Sequence, residues 1–453
     1  MKIQLTKFIF ALSSALDYVE IDIVKAARNH GKRVGALSHL MAEAAGFDEE
    51  YVYALTQAAV LHDCALSEYL NDELSGENQT LDEKNMAAHC ITGEEMLLKL
   101  PVYARRIPGA VLYHHDRADG KGALGKSAAE TPIASQIIHT ADAVDVAFEL
   151  DVMTPEKYSA ILEWVNTNRG TVFSDEMAEL FLKAVNYPVL ESITGEKVRQ
   201  VIKSMLPEFD DDVSTSVLKE MSSFFARITD YKSHFTWRHS LGVAEKAEAM
   251  GRFWGYDDER CDKLYIAGGL HDIGKLFISN DILEKPAKLT SEEYKEIQNH
   301  AQGTWNMLHT IGGLEEISRW AALHHEKLDG SGYPFGYLAD SLSRIERMMA
   351  CIDIYQALVE ERPYKQGLPH HEAMEILRKM GDAGQLDNAV LDDIDACFAP
   401  TAQEEKYVEP KLPEFKGEAW RCPVCGYIYE GDLPEDFICP QCEQPGSIFE
   451  RVH

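Results

Sequence analysis

Histidine and aspartate residues recur in the same order in two parts of the chain. The two sets are His30, His62, Asp63, His89, His114, His115 and Asp142, followed by His239, His271, Asp272, His300, His324, His325 and Asp353. In each set, the second histidine follows the first by 32 positions. A long internal period of this kind indicates two copies of one structural unit.

An adjacent histidine and aspartate suit a site for two metal ions. The two oxygens of one aspartate can bridge two metals, while the histidine binds one of them. Two metals about 3.5–4 Å apart can hold a bridging hydroxide as nucleophile and neutralise a phosphate. Imidazole and carboxylate ligands suit iron, manganese, zinc or nickel, whereas magnesium prefers oxygen alone. The second set therefore predicts hydrolysis of a phosphoester.

Four cysteines form another candidate metal site. They stand as two C-x2-C pairs with thirteen residues between them, namely Cys422, Cys425, Cys439 and Cys442. This spacing is typical of four thiolates around one tetrahedral metal. Disulfides are disfavoured, because we expect a reducing compartment. The remaining cysteines are interpreted as small buried apolar residues: Cys64, Cys90, Cys261, Cys351 and Cys397.

Composition limits the partners of the chain. Its 453 residues include 44 Lys and Arg against 75 Asp and Glu, which gives a formal charge of −31. Such acidity argues against duplex DNA and against an anionic membrane surface. No apolar run reaches the roughly 18 residues that span a bilayer, and the stretch 8–16 predicts an amphipathic helix rather than a signal peptide. We expect a cytoplasmic protein.

The elements that position these residues are predicted to be mainly helical. Val243, Ala244, Ala247 and Met250 recur at helical spacing. Alternating strand patterns are scarce before residues 427–429. The predicted fold is two tandem all-helical bundles and a small C-terminal metal knuckle with short β-strands. The predicted domains are 1–205 and 206–398, then a linker at 399–419 and the knuckle at 420–453.

Two motifs of the second repeat resemble a known family. HDIGK at 271–275 and HHEKLDGSGYP at 324–334 resemble the HD-GYP branch of the HD phosphohydrolases. The segments 282–294 and 352–364 are also similar to that family. The resemblance implies an HD-type helical bundle that hydrolyses cyclic di-GMP to pGpG, and then to GMP.

The resemblance also implies roles for individual residues. His239, His271, Asp272 and Asp353 would bind one metal, and Asp272, His300, His324 and His325 would bind the second, with iron or manganese favoured. Lys275 would contact the scissile phosphate, and Asp272 and Lys275 are the predicted catalytic residues. Tyr333 in the Gly-Tyr-Pro loop, Arg362 and Lys365 would bind the substrate. The same loop would contact diguanylate cyclases.

Two positions depart from the family pattern. Phe235 stands where some members carry a glutamate that binds a third metal, which favours a dinuclear site here. Gln356 stands where a second aspartate is common. Two alternatives stay open: another cyclic dinucleotide such as cyclic GMP-AMP as substrate, or a sensor that binds nucleotide without turnover.

The first repeat resembles a plain HD domain and retains a full set of candidate metal ligands. It has Leu66 at the lysine position, Ala123 and Leu124 in place of Tyr-Pro, and Asp151 at the arginine position. Three interpretations stay open. The first repeat could be a regulatory metal-binding or ligand-binding module, a second hydrolase of different specificity, or a scaffold for homodimerisation.

Residues 420–442 resemble the rubredoxin-like module of rubrerythrins. Trp420, Gly426, Tyr427, Pro440 and Phe449 match that module around the four cysteines. The resemblance implies one iron that cycles between Fe(II) and Fe(III), with a zinc ribbon as the alternative. A redox iron in the same chain as a di-metal site suggests that the module passes electrons to that site or senses oxygen, and so controls hydrolysis. A redox partner is a further expectation.

Overall fold

The computed structural model describes residues 1–23, 28–69, 83–206, 211–232, 238–283, 285, 287–361, 367–399, 419–421, 428–430 and 450–452. The described residues are mainly helical, which confirms the predicted fold class. The chain divides into two compact units, Met1–Ala399 and Pro400–His453. Among the described residues, no helix is both long and apolar enough to cross a membrane.

Helices of the first repeat pack around a shared apolar core. Their bounds are α1 (Leu5–Ile23), α2 (His30–Ala45), α3 (Glu49–Val60), α4 (Glu83–Leu97), α5 (Pro101–Arg106), α6 (Ile133–Phe148), α7 (Pro155–Thr167), α8 (Asp175–Ala184), α9 (Tyr187–Ser192) and α10 (Lys197–Met205). A short 3-10 turn, Cys64–Tyr69, follows α3. Phe8, Ile9 and Leu12 of α1 are buried, as the predicted amphipathic helix requires.

The second repeat is also built of helices joined by short 3-10 turns. Its helices are α11 (Thr215–Lys232), α12 (His239–Phe253), α13 (Asp258–Leu270), α14 (Asn280–Leu283), α15 (Ser291–Leu308), α16 (Glu315–Ala322), α17 (Arg344–Val359), α18 (His370–Asp382) and α19 (Asn388–Phe398). Short 3-10 turns lie at Ile273–Phe277 and Ala339–Ser341. The predicted helical face of α12 is buried, with Val243, Ala247 and Met250 fully enclosed.

Capping boxes fix where two helices of the second repeat begin. At the start of α15, the Thr290 side chain accepts from the Glu293 N–H and the Glu293 carboxylate accepts from the Thr290 N–H. Ser343 and Glu346 make the same exchange at the start of α17. A cap of this kind contributes about 0.5–2 kcal/mol to helix stability. The two helices carry His300 and Asp353, so the caps fix the register of both residues.

The start of the chain packs on the second repeat. Strand β1 (Lys2–Ile3) pairs antiparallel with β2 (Asp211–Asp212), so that Lys2 faces Asp212. The N-terminal amine donates to the Val213 carbonyl over 2.7 Å. The Gln4 N–H donates to the Gly312 carbonyl over 3.1 Å. The two repeats therefore share one compact unit, and the boundary at 205/206 stays a prediction.

The second compact unit contains a small antiparallel sheet. Its strands are β3 (Ala419–Arg421), β4 (Ile428–Glu430) and β5 (Glu450–Val452), in the order β4-β3-β5. Trp420 pairs with Tyr429 on one side and with Arg451 on the other. Strand β4 overlaps the predicted strand at 427–429, and β3 begins at the last residue of the predicted linker. The four cysteines predicted to bind metal lie outside the described residues.

Candidate metal centre

Five short segments of the second repeat deliver the seven predicted ligands to one place. His239 opens α12, and His271 and Asp272 join α13 to the 3-10 turn. His300 lies on α15 and Asp353 on α17. His324 and His325 follow the end of α16. All but His325 are fully buried, so the ligands converge inside the bundle.

The two carboxylate oxygens of Asp272 face different histidines. Its Oδ1 lies 3.3 Å from His300 Nε2 and 3.9 Å from His324 Nε2. Its Oδ2 lies 3.3 Å from His271 Nε2. One carboxylate can therefore bridge two metal positions, as a dinuclear site requires.

The seven ligands form a cage, and Asp353 completes the side opposite Asp272. Its Oδ1 lies 3.0 Å from His239 Nε2 and 3.7 Å from His271 Nε2, and its Oδ2 lies 3.5 Å from His325 Nδ1. The ligand atoms of His239, His271 and Asp353 lie within 4.8 Å of one another. The same holds for His300, His324 and His325, so each half of the cage offers several donors to one metal.

Backbone carbonyls set the tautomers of three histidines. The Nδ1 atoms of His271, His300 and His324 each lie 2.6 Å from a carbonyl oxygen three residues earlier. A carbonyl can only accept, so each Nδ1 carries the proton and each Nε2 offers its lone pair to the cage. The Nε2 of His271 is buried without a hydrogen-bond partner among the described residues. Such an atom fits a metal ligand.

Burial and neighbouring charges set the ionisation of the cage. Burial lowers the pKa of His325 to about 3. Burial also lowers the pKa of His324 well below its usual value, and His325 lowers it further. Burial opposes the ionisation of Asp272, but the Lys275 ammonium, His271 and His300 together outweigh it and hold the pKa of that carboxyl well below its usual range. Neutral imidazoles and an ionised carboxylate are the states in which these groups bind metals.

The pKa of His239 is shifted in the opposite direction from those of His324 and His325. Burial lowers its pKa, but the hydrogen bonds to Asp353 and Glu360 outweigh burial and raise the pKa to about 10. Its Nδ1 lies 3.1 Å from Glu360 Oε2. A metal at this position therefore has to displace a proton.

Lys275 and Tyr333 lie at the mouth of the cage. The Lys275 ammonium pairs with Asp272 Oδ2. The Tyr333 ring centroid lies 4.7 Å from that of His325 and 6.3 Å from that of His300. The structure thus brings both of these predicted substrate residues to the metal ligands. Arg362 and Lys365, the other two, lie outside the described residues, as does Phe235.

The first repeat builds a second cage of the same design. Asp63 Oδ1 lies 3.4 Å from His89 Nε2 and 3.5 Å from His114 Nε2, and Asp63 Oδ2 lies 3.5 Å from His62 Nε2. Asp142 lies 3.2 Å from His30 Nε2 and 3.7 Å from His115 Nδ1. Here too the Nε2 of His62 is buried without a hydrogen-bond partner among the described residues.

Two segments of the chain, residues 20–158 and 223–390, match the HD domain family. The chain belongs to the HD domain family. Each matched segment contains one complete cage, so the repeat seen in the histidines is a repeat of the HD domain. Residues 420–450 match the rubrerythrin, rubredoxin-like domain.

Several bacterial proteins are similar to this chain in sequence or in fold. The 3'3'-cGAMP-specific phosphodiesterase 1 of Vibrio cholerae is 31% identical over 402 residues, which cover 86% of this chain and 91% of that protein. A cyclic di-GMP phosphodiesterase of Pseudomonas aeruginosa is 34% identical over 174 residues, 38% of this chain and 41% of that protein. A crystal structure of a cyclic GMP-AMP specific phosphodiesterase of V. cholerae covers 88% of this chain and 98% of its own, with a TM-score of 0.59 and 21% identity. That likeness concerns the fold.

The N-terminal HD domain differs from the second in a residue at the mouth of its cage. Leu66, only 2% exposed, stands where the second HD domain has Lys275. The loop beyond the paired histidines nevertheless keeps its shape. Asp116 accepts from the N–H groups of Leu124 and Gly125, just as Glu326 accepts from three N–H groups of its own loop. The two HD domains therefore share a backbone and a cage but differ in the groups that face a ligand.

The residues that orient the first histidine also differ. In the N-terminal HD domain, the His30 Nδ1 lies 2.6 Å from Asp145 Oδ2. Arg33 donates to both oxygens of Asp145, over 2.6 and 2.8 Å. Neither Asp145 nor Arg33 was predicted from the sequence. Asp145 follows Asp142 by three positions, and Gln356 stands at the equivalent position of the second repeat.

In the second HD domain, Glu360 takes over this role for His239. Gln356 instead accepts from Lys246 over 2.6 Å. Gly242 stands at the position of Arg33, and a Cβ there would lie 2.2 Å from Gln356 Nε2. A side chain at position 242 would therefore clash with Gln356.

Cys90 lies closer to the histidines of the N-terminal cage than the sequence indicated. It is buried, as predicted, but its Sγ lies 3.8 Å from His89 Nε2 and 3.6 Å from His114 Nδ1. It also lies 3.1 Å from the Met86 carbonyl. The one available signal was its place next to His89, which is equally typical of a core residue.

Proposed function

We propose that the chain is a metal-dependent cyclic dinucleotide phosphodiesterase whose active site is the cage of the second HD domain. The observation that carries this proposal is the placement of Asp272, whose two oxygens face separate groups of histidines with Lys275 beside them. When bound, two divalent metals, iron or manganese, supply Lewis-acid activation of water and neutralise the phosphodiester.

The residues of the chain account for the rest of the chemistry. The Lys275 ammonium holds a positive charge at the mouth of the cage, where negative charge develops on the phosphate during hydrolysis. Tyr333 closes the rim over His325, and Arg362 and Lys365 bind the second phosphate of the dinucleotide. These local cations and metals attract an anionic substrate despite the net charge of −31.

Two substrates are favoured by different observations. The HDIGK and Gly-Tyr-Pro motifs favour cyclic di-GMP, opened to pGpG and then to GMP. The V. cholerae relative that aligns with 86% of the chain is specific for 3'3'-cGAMP, which supports that dinucleotide as the second candidate.

The experiment is anaerobic turnover of both dinucleotides, with Fe(II) or Mn(II) added, followed by chromatography of the products. We expect loss of at least one dinucleotide and the appearance of a linear product. Tight binding of nucleotide without turnover would contradict hydrolysis and favour a sensor.

We also propose that the N-terminal cage binds metal without hydrolysing nucleotide. The buried Nε2 of His62 supports a metal there, because a buried polar atom without a partner is costly. Leu66 at the lysine position argues against a second hydrolase. Metal analysis of an Asp63→Ala variant tests this proposal, and an unchanged metal content would contradict it.

For the C-terminal unit, we propose one iron bound by Cys422, Cys425, Cys439 and Cys442. Visible absorption and electron paramagnetic resonance distinguish ferric iron from zinc. Control of hydrolysis by the redox state of this iron would require that a Cys439→Ser variant lose the difference between reducing and oxidising conditions. A redox partner, contacts between the Gly-Tyr-Pro loop and diguanylate cyclases, a homodimer and a cytoplasmic location stay predictions.

A further inference from the structure

A large groove lies between the start of the chain and the second HD domain. Its volume is about 940 Å³, within the range of roughly 300–1,000 Å³ that is typical of small-molecule sites. One wall is α1, the second is α10, and the floor is α15 with the end of the 3-10 turn Ile273–Phe277. The catalytic cage contributes no ligand residue to the lining.

The lining combines cations, amides and aromatic rings. Three cations converge from two helices of the first repeat, namely Lys7, Arg199 and Lys203. Arg199 pairs with Glu196 over 3.0 Å and with Asp17 over 3.9 Å, and it donates to Asn29 over 2.9 Å. Its charge is therefore partly offset, which makes Lys203 the main phosphate contact. Lys203 is exposed one turn further along the same helix. In a chain of net charge −31, such a convergence of cations favours a phosphate group.

The floor of the groove and the neighbouring face of α1 suit a planar base. Phe277 is 51% exposed, and Phe10 lines the groove from α1. Asn299, Gln302 and Asn306 present their amides from α15. Aromatic faces stack on bases, and amide side chains can pair with both donors and acceptors on the edge of a purine.

The floor of the groove touches the catalytic segments. Gly303 lines the groove, and a Cβ at this position would lie 3.2 Å from Gly274 Cα and 3.3 Å from the Phe277 ring. A Cβ on Gly274 would lie 1.9 Å from the His300 carbonyl oxygen. The turn that carries Lys275 and the helix that carries His300 are thus in backbone contact beneath the groove. Phe277 lies next to this contact.

We propose that this groove binds a purine nucleotide and that its occupancy changes the rate of hydrolysis in the second HD domain. The phosphates lie on Lys203, Arg199 and Lys7, and the base lies against Phe277 and the amides of α15. The site is separate from the proposed active site, so its binding test does not depend on hydrolysis.

The test is calorimetric titration of the metal-loaded full chain with GTP, ATP and inorganic phosphate. The deciding variant is Lys203→Glu, and Lys197→Glu on the same helix but outside the groove is the matched control. We expect Lys203→Glu to weaken GTP binding about tenfold or more, because it removes a charged contact, and Lys197→Glu to leave it unchanged. Inorganic phosphate alone should bind much more weakly than GTP.

Equal GTP affinity in wild type and Lys203→Glu, or no GTP binding, would overturn the site. Phosphate binding as tight as GTP binding would reduce it to an anion site and overturn the nucleotide assignment. The second readout is turnover of the cyclic dinucleotide with and without GTP. We expect at least a twofold change in wild type that Lys203→Glu abolishes. GTP binding in the groove without any effect on turnover would overturn the regulatory role.

Discussion

Asp272 and Lys275 divide the chemistry of the proposed active site between them. Asp272 is buried and ionised, and its two oxygens face opposite halves of the cage. Lys275 pairs with one of these oxygens. We infer that Asp272 serves metal binding and Lys275 serves the transition state.

The separate roles lead to a prediction for Lys275→Met. We expect kcat for the cyclic dinucleotide to fall by about 10²–10³, because a preorganised positive charge at the reacting phosphate is lost. Bound metal should stay near the wild-type level. The control is Lys263→Met on α13, which removes a lysine that pairs with Glu259 and Glu316 away from the cage. A kcat within threefold of wild type in Lys275→Met would contradict the role.

Glu360 is predicted to act through His239. A Glu360→Gln variant keeps the shape of the side chain but removes the charge that orients the imidazole, so metal affinity should fall by about 10–100-fold. Metal titration measures this effect, and Glu361→Gln is the matched control because Glu361 is exposed. Equal affinities in the two variants would show that Glu360 does not position His239.

The metal ligands could be predicted from the sequence, but the residues that orient them could not. Histidine and aspartate are the chemically necessary types at the cage, so both repeats keep them at similar spacing. The supporting carboxylate can come from Asp145 on α6 in one repeat or from Glu360 beyond α17 in the other. Because the position changes, no pattern in the sequence identifies it.

At the scale of elements, the second cage depends on close approach of α12, α13 and α15. A Cβ on Gly268 of α13 would lie 2.6 Å from Ala244 Cα of α12. The adjacent Gly269 is in a different situation, since its nearest neighbour would be the Ser222 carbonyl oxygen at 3.4 Å, an ordinary contact. These two adjacent glycines separate the effect of helix packing from that of helix propensity.

We expect Gly268→Ala to lower the free energy of unfolding by about 1–3 kcal/mol, because backbone atoms of α12 have to move. Gly269→Ala should be neutral or should raise it by up to about 1 kcal/mol, because alanine favours the helix. Urea denaturation of the full chain measures both changes. Equal destabilisation by the two variants would contradict the packing that we describe.

The mainly helical character of the chain was predicted from apolar spacing, but this close packing was not. A glycine inside a helical pattern is compatible with a close contact, a helix end or chance, and only the position of the neighbouring helix decides. Gly268 and Gly269 are adjacent and look alike in the sequence, yet α12 approaches the first and Ser222 of α11 only borders the second.

At the scale of the molecule, two cages of one design lie in a single compact unit, Met1–Ala399. Both have a bridging aspartate, both have a buried histidine nitrogen without a partner among the described residues, and only the second has a lysine at its mouth. We infer that metal binding is shared by the two HD domains and that hydrolysis is confined to the second.

Metal removal should therefore destabilise the whole unit. The unfolded chain lacks preformed cages, so metal bound to the folded chain stabilises it. We expect a chelator to lower Tm in wild type and to lower it less in an Asp63→Ala, Asp272→Ala double variant. Differential scanning calorimetry measures the shift, and equal shifts in both proteins would contradict metal binding at the cages.

The most direct test of the central claim is anaerobic turnover of cyclic di-GMP and 3'3'-cGAMP by wild type, Asp272→Ala and Asp63→Ala, each supplied with Mn(II). The account predicts hydrolysis by wild type and Asp63→Ala, and loss of hydrolysis in Asp272→Ala alone. Hydrolysis that survives in Asp272→Ala and disappears in Asp63→Ala would contradict it, because the active cage would then be that of the first HD domain.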